Sequence, residues 1–395
     1  MSAARRAARP ASTPLEVDVL LTDPATRIVV CCGAGGVGKT TVAAALGLRA
    51  AEQGRRVVVL TIDPARRLAQ AMGLARLDNT PREVADVDTS AGGRLDAMML
   101  DMKRTFDEIV EAHATPEKAR QILANPFYQA LSSSFAGTQE YMAMEKLGQL
   151  RAEADREGTW DLVVVDTPPS RSALDFLDAP QRLGSFLDGR FIKLLMAPAR
   201  ASGRAYLKAF SAGIGVVTST MTKILGAQFL GDVQTFVAAL DTMFGGFRER
   251  ADATYRLLQA PGTAFLVVAA PERDALREAS YFVDRLAAER MPLTGLVLNR
   301  VHVPGASGLS AERALSGAEA LAEGRGHALT EQLLRLHADR VRVAEREQLL
   351  AERFTRAHPS VPVVQVPARP DDVHDLDGLR AIGADLADGL VAASA

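Results

Sequence analysis

Residues Gly33-Ala34-Gly35-Gly36-Val37-Gly38-Lys39-Thr40 fulfil the pattern G-x-x-x-x-G-K-[ST] without a mismatch. They follow the apolar run Ile28-Val29-Val30-Cys31-Cys32 and precede a stretch of helical character from Thr41 to Gln53. A strand, a glycine-rich turn and a helix in that order leave few folds open. Glycines let the backbone curl until successive N–H groups converge, and the helix N-terminus adds partial positive charge. Such a turn is built for phosphate. The expected ligand groups are the loop backbone over Gly35, Gly36, Val37, Gly38, Lys39, Thr40 and Thr41, with Lys39 on the β- and γ-phosphates and the Thr40 hydroxyl on Mg²⁺.

The remaining chain keeps the same rhythm. Continuous apolar runs at Ile28–Cys32, Val57–Ile62, Asp96–Leu100, Leu162–Val165, Phe265–Ala270, Leu293–Leu298 and Val361–Val366 read as strands buried on both faces. Helical stretches separate them, such as Thr40–Gln53 closed by Gly54 and Asp274–Arg290 stopped before Pro292. Strand alternating with helix predicts an α/β fold, a doubly wound and mostly parallel sheet with ligands at the carboxyl ends of its strands.

Two intervals break the rhythm. Residues 103–158 read as helices punctuated by Thr115-Pro116, Asn125-Pro126 and Ala136-Gly137. Residues 171–260 contain no convincing strand, and so long a structureless loop is implausible, so they read as an inserted α-helical subdomain. Seven of the 14 phenylalanines fall between 186 and 247, and from Met221 apolar residues recur at helical spacing. That stripe suits either a helical core or a groove for a hydrophobic segment of another protein. The expected division is a disordered tail over 1–26, sheet core over 27–102, 159–170 and 261–395, a helical segment over 103–158, and the insert. Glu331 to Arg353 reads as a long surface helix.

Composition narrows the function classes. With 395 residues, 48% of them hydrophobic, and a net charge of −2, the chain shows no sign of a basic nucleic-acid-binding surface. Cys31 and Cys32 are the two cysteines. Neighbours on a strand point to opposite faces, so together they make neither a metal site nor an easy disulfide. A cytoplasmic setting is expected, with at most peripheral membrane association. The Ala/Arg-rich residues 1–14 have the composition of a transit peptide or of an unstructured tail.

Two further segments place acids at strand ends: Val57-Val58-Val59-Leu60-Thr61-Ile62-Asp63-Pro64-Ala65 and Leu162-Val163-Val164-Val165-Asp166-Thr167-Pro168-Pro169. An apolar strand with a terminal Asp is the layout that fixes Mg²⁺ beside a phosphate loop. With these residues the chain resembles the ArsA family of P-loop ATPases, of the deviant Walker A class, which includes arsenite-pump ATPases and the factor that targets tail-anchored proteins. The matches are Gly-Ala-Gly-Gly-Val-Gly-Lys-Thr-Thr at 33–41, Ile62-Asp63-Pro64-Ala65, Asp166-Thr167-Pro168-Pro169-Ser170 and Leu296-Val297-Leu298-Asn299-Arg300. The resemblance implies that Asp63 positions the attacking water and that Asp166 holds Mg²⁺ through water and reports the γ-phosphate. It also implies that Asn299 bonds adenine and that the loop after Val366-Pro367 packs on the base. ATP and Mg²⁺ are the implied cofactors, with a homodimer or a heterodimer with a paralogous ATPase as the working assembly.

Three departures stand out. Ala34 occupies the place of the family's signature lysine, which reaches across the dimer to the partner's phosphates. Arg66 or Arg67, or a lysine-bearing paralogous partner, are candidate substitutes. No C-x-x-C is present, so a zinc clasp is not expected. The cysteines that bind metalloid in arsenite-pump members are also missing. Two other functions share this sheet: a small-molecule ligase or synthetase, which wants a polar pocket where the insert is Phe-rich, and a ParA/MinD-like partitioning ATPase, which wants a basic surface or amphipathic terminus.

Overall fold

An unbroken apolar run is stable as a strand only where both of its faces are covered, and this requirement organises the molecule. The computed structural model describes residues 13–62, 67–125, 128–129, 138–168, 249–306, 308–322 and 327–389. The strands are β1 (Ile28–Gly33), β2 (Arg56–Thr61), β3 (Arg82–Glu83), β4 (Arg94–Met99), β5 (Leu162–Asp166), β6 (Thr263–Ala269), β7 (Leu293–Val301) and β8 (Val363–Pro367). The helices begin with α1 (Val17–Thr22), α2 (Lys39–Glu52), α3 (Arg67–Ala71), α4 (Met102–His113), α5 (Pro116–Leu123) and α6 (Thr138–Glu157). They continue with α7 (249–259), α8 (Arg273–Ala288), α9 (Ala311–Ala322), α10 (Ala328–Ala357) and α11 (Leu376–Asp388).

One sheet of eight strands runs in the order β3-β4-β2-β5-β1-β6-β7-β8. The pairs β2–β5, β5–β1, β1–β6, β6–β7 and β7–β8 are parallel, and β3–β4 at the edge is antiparallel. Every residue of β1, β5 and β6 is buried. Helix α2 packs with α11 and against β2, while α8 packs with α10 and against β6. From β1 the chain builds one half of the sheet through β2, β4 and β5. It then crosses to β6 and builds the other half. The reversal falls at β1, where the carboxyl ends of neighbouring strands open a crevice for ligands.

The described residues fall into two compact units, one within Met1–Met98, Gly158–Ala173 and Leu258–Ala395, the other within Met99–Glu157 and Leu174–Leu257. In the sheet unit, Arg55 organises the amino ends of the strands. Its buried guanidinium donates to the carbonyls of Leu21, Asp23, Thr26 and Asp161 at 2.7–2.9 Å. One planar fork thus ties α1, the approach to β1 and the approach to β5. Trp160 donates its indole N–H to buried Asp96 at 2.6 Å, and Arg94 pairs with the same carboxylate.

The second unit is helical in its described part. Asp101 caps α4 through the Arg104 N–H, and Thr115 caps α5 with Pro116 at its first position. Buried Glu145 accepts from Arg250 on α7 at 2.8 Å and from the Tyr141 hydroxyl at 3.1 Å, so α6 and α7 share a satisfied buried charge.

All seven expected strands are present. Residues 13–26, expected within a disordered tail, are folded, and residues 1–12 lie outside the described residues. Leu15, Val17 and Leu21 are buried, Pro14 bridges to Val363, and α1 holds only six residues, too few to show a period. The Phe-rich stripe between 186 and 247 lies outside the described residues, as do Asp63, Pro64, Ala65 and Arg66. Among the described residues no helix is long and apolar enough to cross a membrane.

Candidate nucleotide site

Glycine at two loop positions is a packing demand. A Cβ on Gly33 would stand 2.0 Å from the Val268 carbonyl oxygen of β6. Gly38, the N-cap of α2, has φ +94°, and a Cβ there would stand 2.3 Å from Asn299 Nδ2. Only glycine serves in either place. The loop then delivers the first turn of α2, whose leading N–H groups have no intrahelical acceptors.

Lys39 and Thr40 open that helix. Lys39 is 5% exposed, and its Nζ donates to the Ala34 carbonyl at 2.7 Å, so the ammonium arches over its own loop. The Thr40 hydroxyl donates to Asp166 Oδ2 at 2.7 Å across 126 residues of sequence. Thr61, last in β2, donates to the same oxygen at 2.9 Å. Asp166 is fully buried, in register with Cys31 on one side and Thr61 on the other. The Ile62 N–H donates to the Asp166 carbonyl at 3.0 Å, which brings the exit of β2 against the same strand end. Thr167 donates its hydroxyl to the Cys31 carbonyl at 2.9 Å, securing the chain just after Asp166.

These groups suit a metal-bound triphosphate. Mg²⁺ takes oxygen ligands, uses one or two protein groups and keeps several waters. A hydroxyl and a carboxylate meeting beside a glycine-rich helix N-terminus provide that oxygen set. The Lys39 ammonium and the loop N–H groups provide donors for a polyanion.

Asn299 is buried on β7, and its Nδ2 donates to the Val37 carbonyl at 2.9 Å. Arg300 follows with φ +63° and donates Nη1 to the Gly36 carbonyl at 2.8 Å. Pro367 ends β8 in register with Val301, so the two strand ends lie side by side. Thr41 is half-buried in α2, and Gly35 and Gly36 are exposed. Thus Gly35 to Thr41, Asp166 and Asn299 gather at one edge of the sheet, and Asp63 is outside the described residues. Thr61 and Arg300 were not foreseen as site residues. Neither carries a sequence signal, since their roles depend on which strands become neighbours.

The cysteines are buried and free. Burial pushes the Cys32 thiol up to about 12, and burial together with the Asp166 carboxylate raises Cys31 well above the ordinary range. Both are neutral thiols at working pH, poor ligands for soft metals or metalloids.

The chain is similar to several known proteins. A family profile described as "Anion-transporting ATPase", ArsA type, matches residues 26–308. The arsenical pump-driving ATPase of Acidiphilium multivorum is 30% identical over 158 residues, 40% of this chain and 26% of that protein. The ATPase ASNA1 homolog of Cryptosporidium parvum is 24% identical over 273 residues, 69% of this chain and 64% of the relative. ATPase GET3 of Malassezia globosa is 29% identical over 170 residues, 43% and 47% of the two chains. The matched regions thus span less than two thirds of these relatives' own lengths. With its sheet order, phosphate loop and profile match over more than half its length, the chain belongs to the ArsA family of ATPases, P-loop enzymes that hydrolyse ATP.

Proposed function

We propose that this protein is a Mg²⁺-dependent ATPase that works as a dimer, of like or paralogous chains, and couples nucleotide state to a partner-binding segment over 171–260, whose sequence reads as helical. The observation that carries the reading is the 2.7 Å bond between Thr40 and Asp166. It joins the phosphate loop to the second strand-end acid, so the group that ligates the metal and the group that senses it share one contact.

Thr40 would supply an oxygen ligand to Mg²⁺ and Asp166 would hold one of its waters, and the metal would supply charge neutralisation at the β- and γ-phosphates. Lys39 would turn from the Ala34 carbonyl toward the same phosphates, while the loop N–H groups would orient them. Asp63 positions the attacking water, by its resemblance to the family's first switch. Asn299 and the loop after Pro367 take the adenine side. The Thr40–Asp166 contact would change if Thr40 were to ligate a metal, and that contact is the proposed route by which nucleotide state reaches the segment after Asp166. Driving an arsenical pump belongs to the relative so named. The chemistry proposed for this chain's partner is a hydrophobic protein segment.

Limited proteolysis tests the coupling. ATP with Mg²⁺ is expected to change cleavage within 171–260, and Lys39→Ala to abolish the change. Identical digestion with and without nucleotide contradicts the coupling.

A further inference from the structure

Of the three non-glycine residues with positive φ among the described residues, Arg290 follows the C-terminal end of α8, where a left-handed residue commonly ends a helix, and Asp86 is of a type that tolerates this region. Arg300 is different. It lies inside β7, where the register with β8 shifts between Leu298 and Val301. Bulges of this kind re-aim side chains beside active sites. Here the bulge sends two consecutive side chains to one place. Asn299 donates to the Val37 carbonyl at 2.9 Å and Arg300 to the Gly36 carbonyl at 2.8 Å.

Those two carbonyls matter because of the peptide plane. All described peptide bonds are trans. In a trans peptide the C=O of one residue and the N–H of the next point in opposite directions. Holding the Gly36 carbonyl toward Arg300 therefore turns the Val37 N–H away from β7. Holding the Val37 carbonyl toward Asn299 does the same for the Gly38 N–H. Both N–H groups belong to the loop that faces phosphate in the nucleotide reading.

We infer that Asn299 and Arg300 form a bracket at the end of β7 that orients the Val37 and Gly38 N–H groups for phosphate before any nucleotide arrives. Both are positioning residues, acting through the loop. This gives Asn299 a role that does not depend on adenine. It also places a guanidinium beside the loop in a chain whose signature position is Ala34. The inference rests on the nucleotide-binding reading for its function and on the two hydrogen bonds for its structure.

Arg300→Gly removes the side chain while suiting the positive φ, so folding stability should hold or rise. Affinity for Mg·ATP, Mg·GTP and Mg·tripolyphosphate, measured by calorimetry, should fall by a common factor of about ten, the loss of one charge-assisted hydrogen bond. Arg300→Lys, which keeps a donor, should recover most of that loss. In ligand-free protein, ¹⁵N relaxation should show the Val37 and Gly38 amides becoming more mobile in Arg300→Gly. Unchanged affinities with unchanged amide mobility overturn the bracket. So does a fall confined to ATP, which would assign Arg300 to the base. Wild-type protein that binds none of the three ligands would refute the nucleotide reading instead, and the ligand-free amide mobilities then decide the bracket alone.

Discussion

At Ala34 a methyl group stands where the family carries a lysine that crosses to the partner's phosphates. A cation supplied in trans in related chemistry is worth about 10³–10⁵ in rate, or roughly 4–7 kcal/mol of barrier. Its absence should be measurable. Ala34→Lys is expected to raise ATP turnover roughly tenfold or more and to favour self-association, if a like chain is the partner. Ala34 is only 8% exposed, so added bulk could itself perturb the loop. Ala34→Met, with bulk and no charge, is the control, and steady-state turnover with sedimentation reads both. Turnover and assembly unchanged by the lysine contradict a limiting role for this position. The carbonyl of Ala34, unlike its side chain, is already engaged, since it receives the resting Lys39 ammonium at 2.7 Å. Any group at this position therefore shares its backbone with the residue that must swing toward phosphate.

At the scale of elements, α1 is a six-residue helix that could not persist alone. Asp18 holds it to α2 with two bonds to Arg49, at 2.5 and 2.6 Å, and a third to Gln53 at 3.0 Å. The Arg49 hydrogen bonds hold the Asp18 carboxyl below its ordinary range, against an opposing effect of burial, with Gln53 assisting. A carboxyl lowered in the folded state stabilises above its unfolded value, and that stability is lost as pH falls through the folded value. The side chains of Arg49 and Asp18 are 26% and 44% exposed, so screening limits the pair to within about 1 kcal/mol. Wild type should therefore lose more stability than Asp18→Asn between about pH 5 and pH 2 in thermal melts. Parallel losses contradict this assignment.

The same scale shows what sequence could and could not convey. Strands β1, β5 and β6 were legible because parallel strands covered on both faces need uninterrupted apolar runs. Strand β3 was not, since Arg82 and Glu83 are both exposed at the sheet edge and carry no apolar signal. Helix α10 extends beyond the charged stretch expected at 331–353, reaching Ala328 and Ala357, because alanine continues a helix without marking it. Gly33, Gly38, Lys39 and Thr40 announced themselves by spacing. The partners that make them a site did not: Thr61 meets Asp166 only because β2 and β5 are neighbours, and Arg300 meets Gly36 only through a bulge in β7.

For the whole molecule, the strand order reverses at β1, and the carboxyl ends of the central strands gather a helix N-terminus, a buried carboxylate, two hydroxyls and an ammonium from segments far apart in sequence. The central claim is that these groups hold one Mg·ATP. Equilibrium titration of ATP against wild type, Lys39→Ala and Asp166→Asn, each with and without Mg²⁺, tests it. Wild type is expected to bind, Lys39→Ala to bind roughly tenfold or more weakly, and Asp166→Asn to lose the Mg²⁺ dependence. Equal affinity in all three proteins, or no binding by wild type, would contradict it.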